Sequence, residues 1–211
     1  MGNLKLDSMM IGMVQTNCYF IIHRETKECF VIDPAAEADR IIRYIEENGY
    51  TLKGIFLTHG HFDHIMAANS LKEHFGVSVY ASREESHILQ DPDLNISSVL
   101  GRANYELVPD IELSDGEEFV MAGFKVRAIL TPGHTAGSMC FFLYEEGVLF
   151  GGDTLFLESV GRTDFPTGNA TVLEESIRNK LFVLNDDVIV YPGHGSYTTI
   201  GYEKKNNPFV S

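Results

Sequence analysis

The stretch "THGHFDH", residues 58–64, places three histidines and one aspartate within seven positions of the 211-residue chain. It directly follows "GIFL", an apolar run with the length of a buried strand. Loops that leave strand ends are where a rigid scaffold holds reactive side chains. Clustered protonatable groups repel one another unless a cation organises them. The stretch therefore predicts a metal site at the end of a strand.

Further metal-binding side chains follow other apolar runs. His134 follows "RAILTPG", Asp153 follows "GVLFGG" and His194 follows "DVIVYPG". The glycines and prolines in these stretches permit tight turns, which can direct the side chains into a shared cleft. Together with the first stretch they give seven candidate ligands, namely His59, His61, Asp63, His64, His134, Asp153 and His194.

The number and type of these ligands indicate what they bind. Imidazole and carboxylate groups suit zinc, iron and manganese. A single catalytic zinc ion needs only about three protein ligands. The surplus of candidates therefore favours two divalent metal ions, about 3.5 Å apart, that share a carboxylate and a hydroxide. Zinc is the expected metal, and iron and manganese are the alternatives.

Short segments rich in β-branched and aromatic residues alternate along the chain with segments of helical periodicity. The predicted strands are "NCYFII", "CFVID", "GIFLT", "VSVY", "KVRAIL", "MCFFLY", "GVLFGGD" and "DVIVYPG". The predicted helices are "EADRIIRYIEENG", "FDHIMAANSLKEHFG" and "TVLEESIRNKLFVL". Because no linker rich in Gly, Ser or Pro divides the chain, the sequence predicts one mixed α/β domain over residues 1–211.

A weak internal repeat adds to this picture. "VIDP", a helical stretch and "GIFLTHGH" resemble, in the same order, "FGGDT", a helical stretch and "VIVYPGHG". A two-fold arrangement of these units would bring the two histidine-bearing loops together at one edge of the core.

The chain is acidic, which limits its partners. Its 16 Lys and Arg against 30 Asp and Glu give a net charge of −14, which repels phosphate backbones and anionic lipid surfaces. The longest apolar stretches are far shorter than a membrane span, and the N-terminal residues lack the pattern of a secretory signal. We therefore expect a cytoplasmic protein with a small-molecule substrate and without nucleic-acid or membrane partners. The sequence does not indicate the oligomeric state.

The histidine-rich stretch also carries a resemblance to a known family. "THGHFDH" matches the T-H-x-H-x-D-H signature of the metallo-β-lactamase superfamily, and "TPGHTAGS", "FGGDT" and "YPGHG" supply its remaining metal positions in order. The chain resembles most the short glyoxalase II-like (hydroxyacylglutathione hydrolase-like) bacterial proteins, from "TNCYFI" to "TTIGYEKKNNPF". The resemblance implies an αββα sandwich of four layers in a single domain, with the metals at one edge.

The resemblance further implies how the ligands divide between two metals. The first metal would be held by His59, His61 and His134, and the second by Asp63, His64 and His194. Asp153 would bridge them. A hydroxide held between two cations is a nucleophile at neutral pH, so no separate serine or cysteine nucleophile is needed. On this assignment Asp63 and Asp153 are the catalytic carboxylates.

Two residues beside the ligands are candidates for a supporting role. Asp33 ends "CFVID" and occupies the position whose carboxylate, in this superfamily, orients a ligand histidine. It could equally start a turn before Pro34. Thr58, which opens the signature, is expected to play a similar supporting part.

The substrate contacts have alternative interpretations. Arg162 in "VGRTDFPTGN" either pairs with Asp164 to pin a loop or faces an anionic substrate. Full-length hydroxyacylglutathione hydrolases hold glutathione with a C-terminal helical region, for which "GYEKKNNPFVS" could substitute through Tyr202, Lys204 and Lys205. A solvated, charged chain end is the other interpretation of the two lysines.

The family resemblance implies a metal-dependent hydrolase. We expect a thioesterase of the glyoxalase II type, which cleaves S-acyl thiols such as S-lactoylglutathione with a metal-bridging hydroxide. The alternative is a persulfide dioxygenase with one iron held by His59, His134 and Asp153. Such relatives usually replace "PGHG" with "PAHD", so "YPGHG" favours hydrolysis. A non-catalytic metal-binding protein is disfavoured, because no expected ligand is missing.

Overall fold

Two six-stranded sheets form the centre of the protein. The computed structural model describes residues 2–210. The first sheet contains, in both chain and spatial order, β1 (Leu4–Ile11), β2 (Thr16–His23), β3 (Glu28–Ile32), β4 (Thr51–Phe56), β5 (Val79–Ser82) and β6 (Ile111–Leu113). β1, β2 and β3 pair in antiparallel fashion, whereas the strands from β3 to β6 are parallel.

The second sheet is built from the other half of the chain. It begins with β7 (Glu118–Met121), β8 (Phe124–Leu130), β9 (Met139–Leu143) and β10 (Val148–Gly152). A small hairpin of β11 (Leu155–Phe156) and β12 (Ser159–Val160) follows, and the sheet is completed by β13 (Ile189–Pro192) and β14 (Thr198–Thr199). The spatial order is β14-β13-β10-β9-β8-β7, and only the β10–β13 pair is parallel.

The helices connect and cover the strands. They are α1 (Ala38–Glu47), α2 (Phe62–Ile65), α3 (Ala68–Phe75), α4 (Ser86–Leu89), α5 (Ala170–Ser176) and α6 (Ile200–Asn206). A 3₁₀ turn, Arg83–Glu85, precedes α4, and a π-helical turn, Ile177–Leu181, extends α5. The helix predicted for "FDHIMAANSLKEHFG" is divided into α2 and α3. The division occurs because the amide of Ala67 donates to the carbonyl of Pro34 (2.9 Å) instead of continuing the helical ladder.

Alternation along the strands assigns the side chains to three apolar layers. In β2, Ile21 packs between the two sheets, whereas Phe20 packs on the opposite face together with residues of α1 and α3. In β9, Phe141 packs between the sheets and Phe142 packs with residues of α5. The layers therefore run helices, sheet, sheet, helices, and the predicted αββα sandwich is confirmed.

The direction of the strands places the candidate ligands at one edge. β8, β10 and β13 run the same way, because β9 is antiparallel to both β8 and β10, and β13 is parallel to β10. Their carboxyl ends lead to His134, Asp153 and His194, and the carboxyl end of β4 leads to residues 58–64. Both halves of the internal repeat, β3–α1–β4 and β10–α5–β13, form parallel pairs. Within residues 2–210, no helix has the length and apolarity that crossing a membrane requires.

Candidate metal centre

The first cluster consists of three buried histidines from two loops. His59 and His61 lie two residues apart in the loop after β4, with His61 in extended backbone (φ −63°, ψ 144°), so their rings can face the same side. The Nε2 atom of His134 lies 3.2 Å from Nε2 of His59 and 2.9 Å from Nδ1 of His61. Burial holds the pKa values of His59 and His61 well below the usual histidine value. The rings are therefore neutral and keep lone pairs for a cation.

The second cluster lies beside the first and combines two residues of α2 with one residue from the turn after β13. The Nε2 atom of His194 lies 3.2 Å from Oδ2 of Asp63 and 3.3 Å from Nε2 of His64. Asp63 and His64 come from α2, and His194 comes from the turn after β13. One nitrogen or oxygen from each of the three residues lies within 4.8 Å of the others, which is a spacing that one metal ion can span.

Asp153 lies between the two clusters. Its Oδ1 is 3.5 Å from Nε2 of His64, and its Oδ2 is 3.6 Å from Nε2 of His194 and 3.7 Å from Nε2 of His134. Oδ1 is buried and has no hydrogen-bond partner among the described residues. Because a buried carboxylate oxygen without a donor is costly, this atom fits a position beside a cation. The residues present therefore suit two divalent ions.

The loop after β13 approaches this carboxylate closely. A Cβ atom at Gly193 would lie 2.2 Å from Oδ1 of Asp153 and 2.6 Å from Cε1 of His64. Any side chain at this position would therefore displace a candidate ligand. The glycine of "YPGHG" is explained by this contact, because only a residue without a side chain lets the loop bring His194 to the cluster.

Asp33 supports the second cluster through contacts with Thr58 and His64. Its Oδ1 accepts a hydrogen bond from the amide of Thr58 (2.8 Å), and its Oδ2 accepts one from the Thr58 hydroxyl (2.6 Å). Oδ2 also lies 2.9 Å from Nδ1 of His64. Thr58 Oγ1 is in turn 3.1 Å from Nδ1 of His59. The carboxylate thus fixes the Nδ1 side of His64 and leaves Nε2 to face Asp153.

The comparison with known proteins identifies the family. The family model described as "Metallo-beta-lactamase superfamily" matches residues 11–194. The chain belongs to the metallo-β-lactamase superfamily. It is 42% identical over 210 residues to hydroxyacylglutathione hydrolase GloC of Haemophilus influenzae, and the match covers 99% of each chain. The family resemblance drawn from the motifs is thereby confirmed.

Solved structures support the same assignment. BLEG-1 B3 metallo-β-lactamase superposes with a TM-score of 0.93 at 37% identity, over 98% of this chain and 100% of that one. TTHA1623 in a di-iron-bound form superposes with a TM-score of 0.83 at 30% identity, over 97% of this chain and 100% of that one. The protein is therefore a metal-dependent hydrolase of the metallo-β-lactamase superfamily.

Electrostatics at the second cluster of this metallo-β-lactamase-fold protein favour positive charge. Burial lowers the pKa of His64, but Asp153, Asp63 and Asp33 together raise it to about 10. Burial also disfavours ionisation of Asp63, yet His64 and His194 hold the pKa of that carboxyl well below its usual value. The carboxylates that stabilise a proton on His64 would likewise stabilise a divalent cation in its place.

The clusters open into a cleft of about 540 Å³ with largely apolar walls. Apart from the candidate ligands and Arg162, the cleft is lined by Met13, Val14, Phe62, Ile96, Leu100, Phe156 and Phe165. None of these apolar residues was predicted from the sequence to line the cleft. "GMVQ" in the turn between β1 and β2 carries a signal, an apolar pair in an exposed turn, but nothing in the sequence relates that turn to the distant histidines.

Arg162 contacts one of the candidate ligands through its backbone carbonyl. Its carbonyl oxygen lies 2.7 Å from Nδ1 of His134, which must donate to it, so the Nε2 atom of that ring keeps its lone pair for the cluster. Its guanidinium forms a two-fold hydrogen-bonded pair with Asp164, with both contacts at 2.7 Å, and stacks 3.7 Å from the centroid of the Phe165 ring. The ion pair expected from one interpretation of this arginine is present, and Arg162 also lines the cleft, so its contact with a substrate stays a prediction.

The other proposed substrate contacts lie on α6, outside the cleft lining. The hydroxyl of Tyr202 donates to a carboxylate oxygen of Glu158. Lys204 pairs with Asp186 at 2.6 Å and also donates to a backbone carbonyl. Lys205 is exposed. The structure therefore does not bring these three residues together with the histidines.

Proposed function

We propose that the protein is a two-metal thioesterase of the glyoxalase II type, which cleaves S-acyl thiols such as S-lactoylglutathione. The position of Asp153 carries the proposal. Its carboxylate lies between two sets of ligands, and one of its buried oxygens has no hydrogen-bond partner within residues 2–210. The similarity to a relative named hydroxyacylglutathione hydrolase supports a thioester as the substrate.

In this proposal each metal ion has its own set of ligands. The first ion would be held by His59, His61 and His134 and the second by Asp63, His64 and His194, with the carboxylate of Asp153 between the two sets. When bound, such ions polarise a carbonyl group and lower the pKa of water. Zinc is the expected metal. The di-iron form of TTHA1623 makes iron the first alternative to test, ahead of manganese.

The chain's own residues hold the ligands in place and shield the reaction. Asp33 contacts Nδ1 of His64, and the carbonyl of Arg162 contacts Nδ1 of His134. Each contact sets the tautomer and the ring orientation of that histidine. Asp63 and Asp153 are the proposed catalytic carboxylates, since both line the cleft, where their oxygens can accept hydrogen bonds from water or substrate. The apolar walls exclude bulk water from the acyl group.

Two further reactions are tested as alternatives to thioester cleavage. The similarity to BLEG-1 B3 metallo-β-lactamase makes β-lactam hydrolysis the second candidate, because both reactions break a carbonyl–heteroatom bond. Persulfide oxidation, the alternative drawn from the sequence, would use one iron and consume oxygen.

The test is a substrate panel on protein loaded separately with zinc, iron and manganese. S-Lactoylglutathione turnover is followed by thiol release, a chromogenic cephalosporin by ring opening, and glutathione persulfide by oxygen uptake. We expect thiol release to dominate, to need metal, and to proceed without oxygen. Hydrolysis of the cephalosporin with a larger kcat/KM than that for the thioester would contradict the proposed function. Oxygen uptake without thioester turnover would also contradict it.

A further inference from the structure

A buried carboxylate outside the ligand set connects the histidine loops. Glu85 lies at the end of the 3₁₀ turn after β5 and is only 1% exposed. Its Oε1 accepts a hydrogen bond from the amide of Gly60 (2.7 Å). Its Oε2 accepts hydrogen bonds from the hydroxyl of Thr135 and the amide of Gly137, both at 2.9 Å. Each oxygen of the carboxylate therefore holds a different loop.

These two loops carry the whole first cluster. Gly60 lies between His59 and His61, and Thr135 directly follows His134. Glu85 itself neither lines the cleft nor belongs to a group of candidate metal ligands among the described residues. Its carboxylate thus acts on the cluster through the backbone that supports it.

The contacts around Glu85 leave its carboxylate little freedom to move. The hydroxyl of Ser82 donates to the carbonyl of Gly137 (2.6 Å) and accepts from the amide of Glu85 (3.1 Å). A Cβ atom at Gly137 would lie 2.2 Å from the backbone nitrogen of Glu85. The turn and the loop after β8 are therefore packed backbone to backbone, and a shift of one moves the other.

We propose that Glu85 is a positioning residue that fixes His59, His61 and His134 as one ligand set for the first metal ion. The inference rests on the proposed function for the division of ligands between two metals. A carboxylate is required because three donors converge on two oxygens, which an amide cannot match. In Glu85→Gln, the side-chain NH₂ group would face the amide of either Gly60 or Gly137, so one loop would lose its acceptor.

The expected effect is selective. Glu85→Gln should weaken zinc at the first site about 10- to 100-fold, the range typical of losing a group that orients a metal ligand. Zinc at the second site should bind as in the parent protein, because Asp33 holds His64 independently of Glu85. Thr135→Val, which removes one of the three donors and keeps the carboxylate, should have a smaller effect in the same direction.

Glu203→Gln is the matched control. Glu203 is also fully buried (0% exposed). It likewise accepts three hydrogen bonds, from Thr198 Oγ1 at 2.5 Å, the Glu158 amide at 3.0 Å and Asn207 Nδ2 at 2.8 Å. None of these partners adjoins a proposed ligand in the sequence. This variant should lower the melting temperature to a similar extent and leave zinc affinity at both sites unchanged.

The experiment measures zinc affinity by chelator competition, the visible spectrum of the Co²⁺-loaded protein, and the melting temperature. Weakened first-site zinc and an altered Co²⁺ spectrum in Glu85→Gln, but not in Glu203→Gln, would support the proposal. Parental zinc affinity and spectrum in Glu85→Gln, with only a lower melting temperature, would overturn it. If Glu85→Gln does not fold, Thr135→Val decides by the same readouts. Since no readout uses the thioester, failure of the proposed function would appear separately.

Discussion

Among single residues, Asp153 is the one on which the proposed two-metal arrangement depends, because its carboxylate lies between the two sets of candidate ligands. Asp153 follows β10 and presents one oxygen toward His64 and the other toward His134 and His194. Two nearby cations repel each other, and an anion between them offsets that repulsion. A substitution at this one position should therefore affect both metal ions, whereas a substitution of a terminal ligand should affect one.

Asp153→Ala should weaken both metals and reduce thioester turnover by about 100-fold or more. His194→Ala should chiefly weaken the second metal, because its Nε2 faces Asp63 and His64. Metal content after dialysis and kcat/KM for both variants provide the measurement. An Asp153→Ala protein that keeps two tightly held metals and near-parental turnover would show that the carboxylate is not shared.

Among the secondary-structure elements, the sequence predicts the interior strands of the two large sheets and misses their edge strands. The eight predicted strands are the interior strands of the two large sheets. The missed strands of these sheets, β1, β6, β7 and β14, are their edge strands, and the small β11–β12 hairpin is missed as well. Interior strands such as β2 and β9 are buried along nearly their whole length and read as apolar runs. Edge strands pack on fewer neighbours and carry exposed polar residues, so their sequences resemble loops.

The candidate site, too, is only partly predictable from the sequence. Its ligands are predictable because histidine and aspartate are rare in such dense clusters and each cluster follows an apolar strand. The proposed role of Glu85 is not predictable, because "ASREESHI" reads as a polar turn. The hydrogen bonds of Glu85 to Gly60 and Thr135 form only after β5 has packed beside β4. Contacts between residues far apart in the chain leave no local pattern.

The turn between β1 and β2 should act as an apolar wall for substrate. Met13 is 76% exposed there and lines the cleft. Met13→Glu should raise KM for a thioester up to about tenfold, or roughly 1.4 kcal/mol, by removing apolar contact and adding charge, while metal content stays unchanged. Val183→Glu, at a residue 71% exposed outside the cleft lining, is the control. Equal KM changes in the two variants would remove the turn from the substrate site.

The overall charge of the protein and the composition of its cleft bear on substrate recognition. The chain carries a net charge of −14. Within residues 2–210, the cleft is lined by one arginine and no lysine, and that arginine, Arg162, is paired with Asp164. An anionic thiol carrier would therefore gain little from charge attraction at the cleft. We expect the thioester, the metals and the apolar walls to provide most of the binding free energy.

Truncation of the thiol carrier should then cost little. The lactoyl thioester of N-acetylcysteamine should retain kcat/KM within about tenfold, or roughly 1.4 kcal/mol, of S-lactoylglutathione at the same metal loading. The matching amide should not react, because it lacks the thiolate leaving group. A loss of several hundredfold for the small thioester would reveal a glutathione site, with Arg162, Tyr202, Lys204 and Lys205 as the first residues to substitute.

Two metal ions are proposed to bind at one edge of the sandwich and together to support thioester cleavage. The most direct measurement is a titration of metal-free protein with zinc, with bound metal per chain and thioester turnover recorded on the same samples. We expect binding to saturate at about two ions per chain and turnover to reach its maximum with the second ion. Saturation at one ion, or full turnover at one equivalent, would contradict this proposal.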